Sequence, residues 1–214
     1  MMKADSILQS LKENVRRSIH HGEFLLSVNK FSDYWIYLQD LWMDKTSDEL
    51  IQNVLRIALK NLSLEYGSFA VPLLKISHSG TSEEELPLFP IVGEAVRKLN
   101  SKEIQAHNIY MDAPISGDLL PTKYICVFVL SVHSDFIIEV IEYLQRQGRD
   151  ILAIVVVIER EGVSRNEISN EKRIELIPLI VVDKEGIPRT ILEDTSTSSP
   201  YRNMHKYFQD PVKK

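Results

Sequence analysis

Cysteine is almost missing from this chain of 214 residues: Cys126 stands alone. No disulfide forms within the chain, and Cys₂His₂-type zinc sites are excluded. Glycine is scarce too, eight in all, below the average usage of ~7%. Phosphate-cradling loops are built from glycine, so the chain has little material for them. No apolar run approaches the ~18 residues of a membrane-spanning helix. The start, MMKADSILQSLKENVRR, lacks the apolar core of a signal peptide. The expectation is a soluble, cytoplasmic protein that does not engage a membrane. An excess of positive charge is also lacking. The net charge of -5 argues against a general nucleic-acid binder, although a local basic patch remains compatible with it.

What is present is ordinary for a globular protein: 44% hydrophobic and 26% charged residues, in a length that suits one α/β domain with a sizeable core. The chain is organised around residues 123–148, KYICVFVLSVHSDFIIEVIEYLQRQG. An apolar run at 125–130 leads into a polar turn at 131–135. A helical pattern follows, with Ile137, Ile138, Val140, Ile141 and Leu144 apolar and Gly148 just past its end. A second apolar run, ILAIVVVI at 151–158, comes straight after. Strand, turn, helix and strand make a βαβ unit, which belongs in a parallel sheet covered by helices. Ligands bind beyond the carboxyl ends of such strands, so the turn 131–135 is where chemistry is expected.

The remaining elements are read in chain order. Ile7, Leu8, Leu11, Val15 and Ile19 fall at helical spacing over 4–19, with Asp5 or Ser6 as the cap. His20, His21 and Gly22 end that helix; the two histidines suit a solvated helix end better than a metal site, because no further ligand completes a face. Residues 23–39, EFLLSVNKFSDYWIYLQ, read as a hairpin with strands at 24–27 and 33–38 and a turn at 28–32. Its aromatic side chains either pack the arm on the main domain or cover a planar ligand. A helix over 46–63 is capped by Thr46 or Ser47. Strands are expected at 68–76, 103–111 and 173–182, a helix at 90–99 with proline in its first turn, and a short edge strand at 189–193. Residues 159–172 read as a polar surface loop, and the tail docks one turn around 202–208.

Residues 22–38, GEFLLSVNKFSDYWIYL, resemble the hood segment of orotate phosphoribosyltransferases, whose usual form is close to GEFTLSSGKKSPYYFDL. The strand–loop–helix–strand over 125–162 is similar to the family's, ending in VVVIEREG where the family has VVLVDREEG. The resemblance covers roughly residues 5–188. It implies the α/β fold of type I phosphoribosyltransferases: a mainly parallel five-stranded sheet flanked by helices, with a small N-terminal hood hairpin. The expected layout is a single domain over 1–214, with the hood at about 20–40, the core at about 46–188 and a polar tail at 194–214. The resemblance also implies a homodimer, and an enzyme that transfers phosphoribose from phosphoribosyl pyrophosphate to orotate with Mg²⁺.

The family's defining stretch, of the form VVDDVITTGGS, is replaced here. Phe128 and Val129 align with its acidic pair, which interacts with the ribose hydroxyls. Ser131, Val132, His133, Ser134 and Asp135 occupy its phosphate-binding turn. Asp135 sets a carboxylate near the place of the phosphate. At ~4 Å and an effective dielectric near 20 each such pair of charges costs on the order of 4 kcal/mol, while a helix N-terminus offsets about 0.3–1 kcal/mol. The glycine-rich pyrophosphate loop is replaced by the stretch through Lys75, Ser77, His78 and Ser79 to the acidic run at 83–85. The catalytic Arg-Lys strand end is replaced by Tyr110, Met111 and Asp112. Arg160, Tyr34, Trp35, Ser27 and Lys30 still match family positions.

These readings lead to a phosphoribosyltransferase-like protein with a degenerate phosphoribosyl pyrophosphate motif, acting as a ligand-binding, regulatory or interaction protein. The expected ligand is small and planar, held by Tyr34, Trp35, Lys30, Arg160, Ser131, His133 and Ser134, with no catalytic residue and no metal ligand assigned. For Arg160 an ion pair with Glu159 or Glu161 competes with ligand contact. For Ser134 or Asp135, capping of the next helix competes with binding. The alternative is a divergent, active transferase that makes orotidine 5′-phosphate in pyrimidine biosynthesis with Mg²⁺, using Asp112, Glu159 and Arg160 in place of the missing groups.

Overall fold

A computed structural model of the chain describes residues 4–27, 30–62, 68–73, 88–99, 106–110, 123–131, 134–161, 165, 168–169, 172–193 and 199–208. Five α-helices and eight strands lie within these residues. Helix α1 (Ala4–Arg17) buries Ile7, Leu8, Leu11 and Val15, the i, i+4 stripe its sequence carries. It ends because Ser18 hands the chain to a strand: the Tyr37 amide donates to the Ser18 carbonyl at 2.8 Å. Strand β1 (Ile19–Ser27) then pairs antiparallel with β2 (Lys30–Ile36). His20 and His21 therefore stand in β1, opposite Trp35 and Tyr34, and not at a solvated helix end as the sequence suggested.

A short helix α2 (Leu38–Met43), which the sequence reading left unassigned, leads into α3 (Lys45–Leu62). The cap of α3 is Asp44, ahead of both expected positions, Thr46 and Ser47. Its Oδ1 accepts from the Thr46 amide at 3.0 Å and from Thr46 Oγ1 at 2.7 Å. Thr46 and Ser47 do not cap, because their hydroxyl oxygens accept from Asn14 Nδ2, each at 3.0 Å. The Asp44 carboxyl sits below its ordinary pKa through the bonds from the Thr46 side chain and backbone.

The main sheet holds β3 (Ser68–Leu73), β4 (Ala106–Tyr110), β5 (Lys123–Ser131), β6 (Asp150–Arg160), β7 (Glu175–Val182) and β8 (Pro188–Thr190). Its order is β4-β3-β5-β6-β7-β8. All neighbours are parallel except β7 and β8: five parallel strands carry a short antiparallel edge, which the sequence placed at 189–193 and which spans Pro188–Thr190. Helix α4 (Leu88–Arg97) precedes β4, and α5 (Ser134–Arg146) joins β5 to β6. From β3 the order runs outward both ways, which makes the β3/β5 boundary the topological switch point.

The faces of the sheet separate by strand parity. Val127, Val129, Val155 and Val157 pack with α1, α3, α4 and the C-terminal 3₁₀ segment (Arg202–Phe208). Cys126, Phe128, Ile154 and Val156 pack under Ile137, Val140, Ile141 and Leu144 of α5. Each fully buried aliphatic side chain of this kind contributes about 1.5–3 kcal/mol. The polar stretch expected as a surface loop at 159–172 is different in two ways. Residues 159 and 160 complete β6. Glu159 and Arg165 are buried and paired, Arg165 Nη2 donating to Glu159 Oε2 at 2.9 Å. A composition rich in charge looked solvated, but opposite charges that pair this closely are tolerated inside.

Candidate functional site

The carboxyl ends of β6 and β7 bring Arg160 and Asp183 beneath the hood hairpin, where a cleft of about 480 Å³ opens. Along β2, residues Ser32, Tyr34 and Ile36 are buried and Phe31 and Asp33 are exposed, the alternation that a strand with one covered face requires. Tyr34 is 1% exposed. Its hydroxyl donates to the Asp183 carbonyl at 2.9 Å, and the Arg160 guanidinium lies over its ring, 4.2 Å from the centroid. Arg160 Nη2 also donates to Ser32 Oγ, and Ser32 Oγ donates to the Tyr34 carbonyl at 2.6 Å. Tyr34, Arg160, Ser32 and the Asp183 carbonyl form one latch between hood and core.

Burial raises the Tyr34 phenol above its ordinary range, and the charge and hydrogen bonding of Arg160 act against that rise. The hydroxyl is therefore a neutral donor at physiological pH. Of the three carboxylates that line the cleft, Asp33 is exposed and the other two are engaged. Glu161 Oε1 accepts from Arg189 Nη2 at 3.0 Å. Asp183 Oδ1 accepts from the amides of Glu185 and Ile187, at 3.1 and 2.8 Å. That turn needs Gly186: its φ is +78°, and a Cβ there would stand 3.0 Å from the Tyr34 ring. Arg160, partly exposed, and the exposed Lys184 are the cations of the cleft, beside the acidic Asp33, Glu161 and Asp183. A guanidinium held over an aromatic ring offers planar donors to a carboxylate or a flat polar ligand.

The residues singled out in the sequence are thus divided. Tyr34 and Arg160 meet. Trp35, next in β2, faces the other side and packs against Phe24 with ring centroids 6.3 Å apart. Lys30 begins β2 opposite Ser27 and Ser131 ends β5 opposite Glu159; Ser134 begins α5. The side chains of these four, and that of Asp135, lie outside the described residues, as do His133, Asp112 and the whole stretch from Lys75 to the acidic run. The ion pairs expected for Arg160 are made by other residues, since Glu159 takes Arg165 and Glu161 takes Arg189. Sequence reading passed over Ser32, Asp183 and Lys184. The signal for Ser32 was its i, i+2 spacing from Tyr34. For Asp183 it was position, directly beyond the carboxyl end of an apolar strand.

At the switch point, Phe128 and Val129 are 1% and 0% exposed. Phe128 meets Phe136 of α5 edge to face, with centroids 5.7 Å apart, and Val129 is packed on the opposite face. These side chains do not suit the Mg²⁺ that the resemblance implies: two hydrocarbons stand at the strand end and offer it no oxygen. Among the described residues no three His, Cys, Asp or Glu side chains are grouped to hold a metal.

A mainly parallel sheet with order β4-β3-β5-β6-β7, a β5–α5–β6 crossover and a hood hairpin latched over its carboxyl end defines the type I phosphoribosyltransferase fold. No family model matches the chain. It is 26% identical to the orotate phosphoribosyltransferase of Pyrococcus abyssi over 168 residues, which are 77% of this chain and 86% of that protein. It is 24% identical to the Pyrococcus horikoshii orotate phosphoribosyltransferase over 169 residues, 78% of this chain and 85% of that protein. Its fold is similar to the crystal structure of the Mycobacterium tuberculosis H37Rv orotate phosphoribosyltransferase in complex with inorganic phosphate. The TM-score is 0.60 at 17% identity, over 85% of this chain and 98% of that one. Within the fold, then, the chain is an orotate phosphoribosyltransferase-like protein.

Proposed function

We propose that this orotate phosphoribosyltransferase-like chain is a binding protein that holds a small planar anion in the hood cleft and does not transfer phosphoribose. The observation that carries this reading is the packing at the end of β5, where Phe128 and Val129 are buried and Phe136 closes on Phe128. In the resembling family, carboxylates at these positions meet the ribose hydroxyls. Here a sugar hydroxyl meets hydrocarbon and loses its water without gaining a partner. The ligand half of the proposal rests on Arg160, whose guanidinium lies over Tyr34 while Glu161 pairs with Arg189 and the Asp183 carboxylate accepts from backbone amides. The proposed setting is the cytoplasm and the proposed state a homodimer. Leu25 and Phe31 support self-association, being directly opposite in the hairpin and 62% and 64% exposed. Light scattering that returns a single-chain mass removes the dimer.

The competing reading is a divergent transferase that makes orotidine 5′-phosphate with Mg²⁺, favoured by the likeness to the two Pyrococcus enzymes. It requires Glu159 as a replacement group, and Glu159 is fully buried against Arg165. One experiment separates the two. Purified protein is incubated with orotate, phosphoribosyl pyrophosphate and Mg²⁺, and calorimetric titration with orotate is run on the native chain and on Arg160→Ala. The binding reading expects no orotidine 5′-phosphate, and heat of binding that Arg160→Ala abolishes. Measurable turnover overturns it.

A further inference from the structure

A second cavity, of about 470 Å³, shares no residue with the hood cleft. It lies between the chain entering β7 (Arg173, Ile174, Glu175) and the C-terminal 3₁₀ segment (Asn203, Met204), with Arg165 and Ser169 in its wall. Its size falls within the range of small-molecule sites, ~300–1,000 Å³. We propose that this cavity is a second binding site, one that takes the phosphate group of a small phosphorylated metabolite between Arg165, Ser169 and Arg173.

The case rests on unmet hydrogen-bonding groups. Arg165 is 8% exposed. Its Nη2 donates to Glu159 Oε2 at 2.9 Å and to the Leu176 carbonyl at 3.0 Å, its Nη1 faces Met204 Sδ at 3.8 Å, and its guanidinium lies 4.3 Å over the Tyr201 ring. The Nε is buried with no hydrogen-bond partner, and so is Ser169 Oγ. A buried polar atom left unpaired is rare and calls for a partner absent from the protein itself. An arginine Nε–H is a donor and nothing else, so that partner is an acceptor; a serine hydroxyl donates to the same kind of group.

The cation at the mouth favours an anionic acceptor. Glu159 answers the charge of Arg165, and the Glu175 carboxylate, which keeps its charge, is held by the Tyr207 hydroxyl. Arg173 is exposed at the mouth and makes no ion pair among the described residues. It is also held at φ +57°, a conformation that costs a non-glycine residue about 1–2 kcal/mol. The exposed Arg173 cation at the mouth and two unpaired donors in the wall match the several acceptor oxygens of a phosphate. The cavity is larger than inorganic phosphate requires, and the apolar Ile174, Pro200 and Met204 leave a wall for the rest of a metabolite.

The proposal does not depend on the hood cleft, and its test is separate. Inorganic phosphate is titrated into the ¹⁵N-labelled full chain at constant ionic strength held with chloride. The amide shifts of Ser169, Arg173, Ile174 and Asn203 are followed. Saturable shifts at these residues are expected, with affinity about tenfold lower in Arg173→Ala and in Ser169→Ala and unchanged in Arg160→Ala. Both informative variants are mild, one at an exposed side chain and one removing a single hydroxyl, so their folding is verified by the unshifted remainder of the spectrum. Shifts that do not saturate, that centre on the hood, or that persist equally in the two variants overturn the proposal.

Discussion

Glu159 and Arg160 are neighbours in β6 whose side chains take different partners. Arg160 lies over Tyr34 of the hood, and Glu159 meets Arg165, which stacks on Tyr201 and faces Met204. Burial raises the Glu159 carboxyl above its ordinary range, with the charge of Arg165 acting against the rise. The sign of the linkage follows. A carboxyl whose folded pKa exceeds its unfolded value contributes stability at low pH and loses it as pH rises through the folded pKa. Arg165→Met removes the opposing charge and widens that window. The expected loss is about 3–5 kcal/mol at pH 8 and less at pH 5, where protonation of Glu159 relieves the lone charge. Adding Glu159→Leu restores most of it, because a hydrocarbon replaces the pair. Urea denaturation of the wild type, single and double variants at both pH values measures the cycle. Equal losses at the two pH values would mean that Glu159 is not the group responding.

At the scale of elements, helix starts and strand faces are set by different information. Asp44 caps α3 through Thr46, and its carboxyl titrates below the ordinary range because of those bonds. A depressed pKa contributes stability above the unfolded value and loses it as pH falls through the folded one. Asp44→Ala is therefore expected to lower the melting temperature at pH 7 and to leave it unchanged near pH 2, as read by circular dichroism at 222 nm. A loss of the same size at both pH values would assign the effect to something other than the cap. The sequence made β5, α5, β6 and α3 plain, because their apolar residues repeat at one period over many positions. It misplaced the cap because Asp44, Thr46 and Ser47 all qualify locally, and the choice depends on Asn14, thirty residues away, which occupies the hydroxyls of the other two. The hood was legible as a hairpin. Which of Tyr34 and Trp35 faces the cleft was not, since alternation fixes that they differ and only the docked core decides which is covered. The buried Glu159–Arg165 pair was hidden for a related reason: polarity in a sequence reads as exposure until a partner is known.

At the scale of the whole molecule, the described residues form a six-stranded sheet with a two-stranded arm, and the two are held with very different security. Strands β5, β6 and β7 are buried on both faces along most of their length. The β1–β2 hairpin is a separate sheet with its register interrupted twice. Its described ties to the far side of the cleft run through Tyr34: the hydroxyl on Asp183, the ring under Arg160, and the Ser32 contact that fixes Arg160. Local opening free energies differ within a fold according to such ties. Arg160→Ala removes the stacking and one hydrogen bond, worth together roughly 1–2 kcal/mol. That corresponds to about 5- to 30-fold faster opening of the arm. Native-state hydrogen exchange tests this directly. In the wild type the amides of β1 and β2 should exchange well before those of β5 to β7. In Arg160→Ala the hairpin rates should rise by that factor while the central strands keep theirs. If the hairpin exchanges together with β6 in both proteins, hood and core open as one unit, and the latch is then too weak a contributor to decide how a ligand enters the cleft.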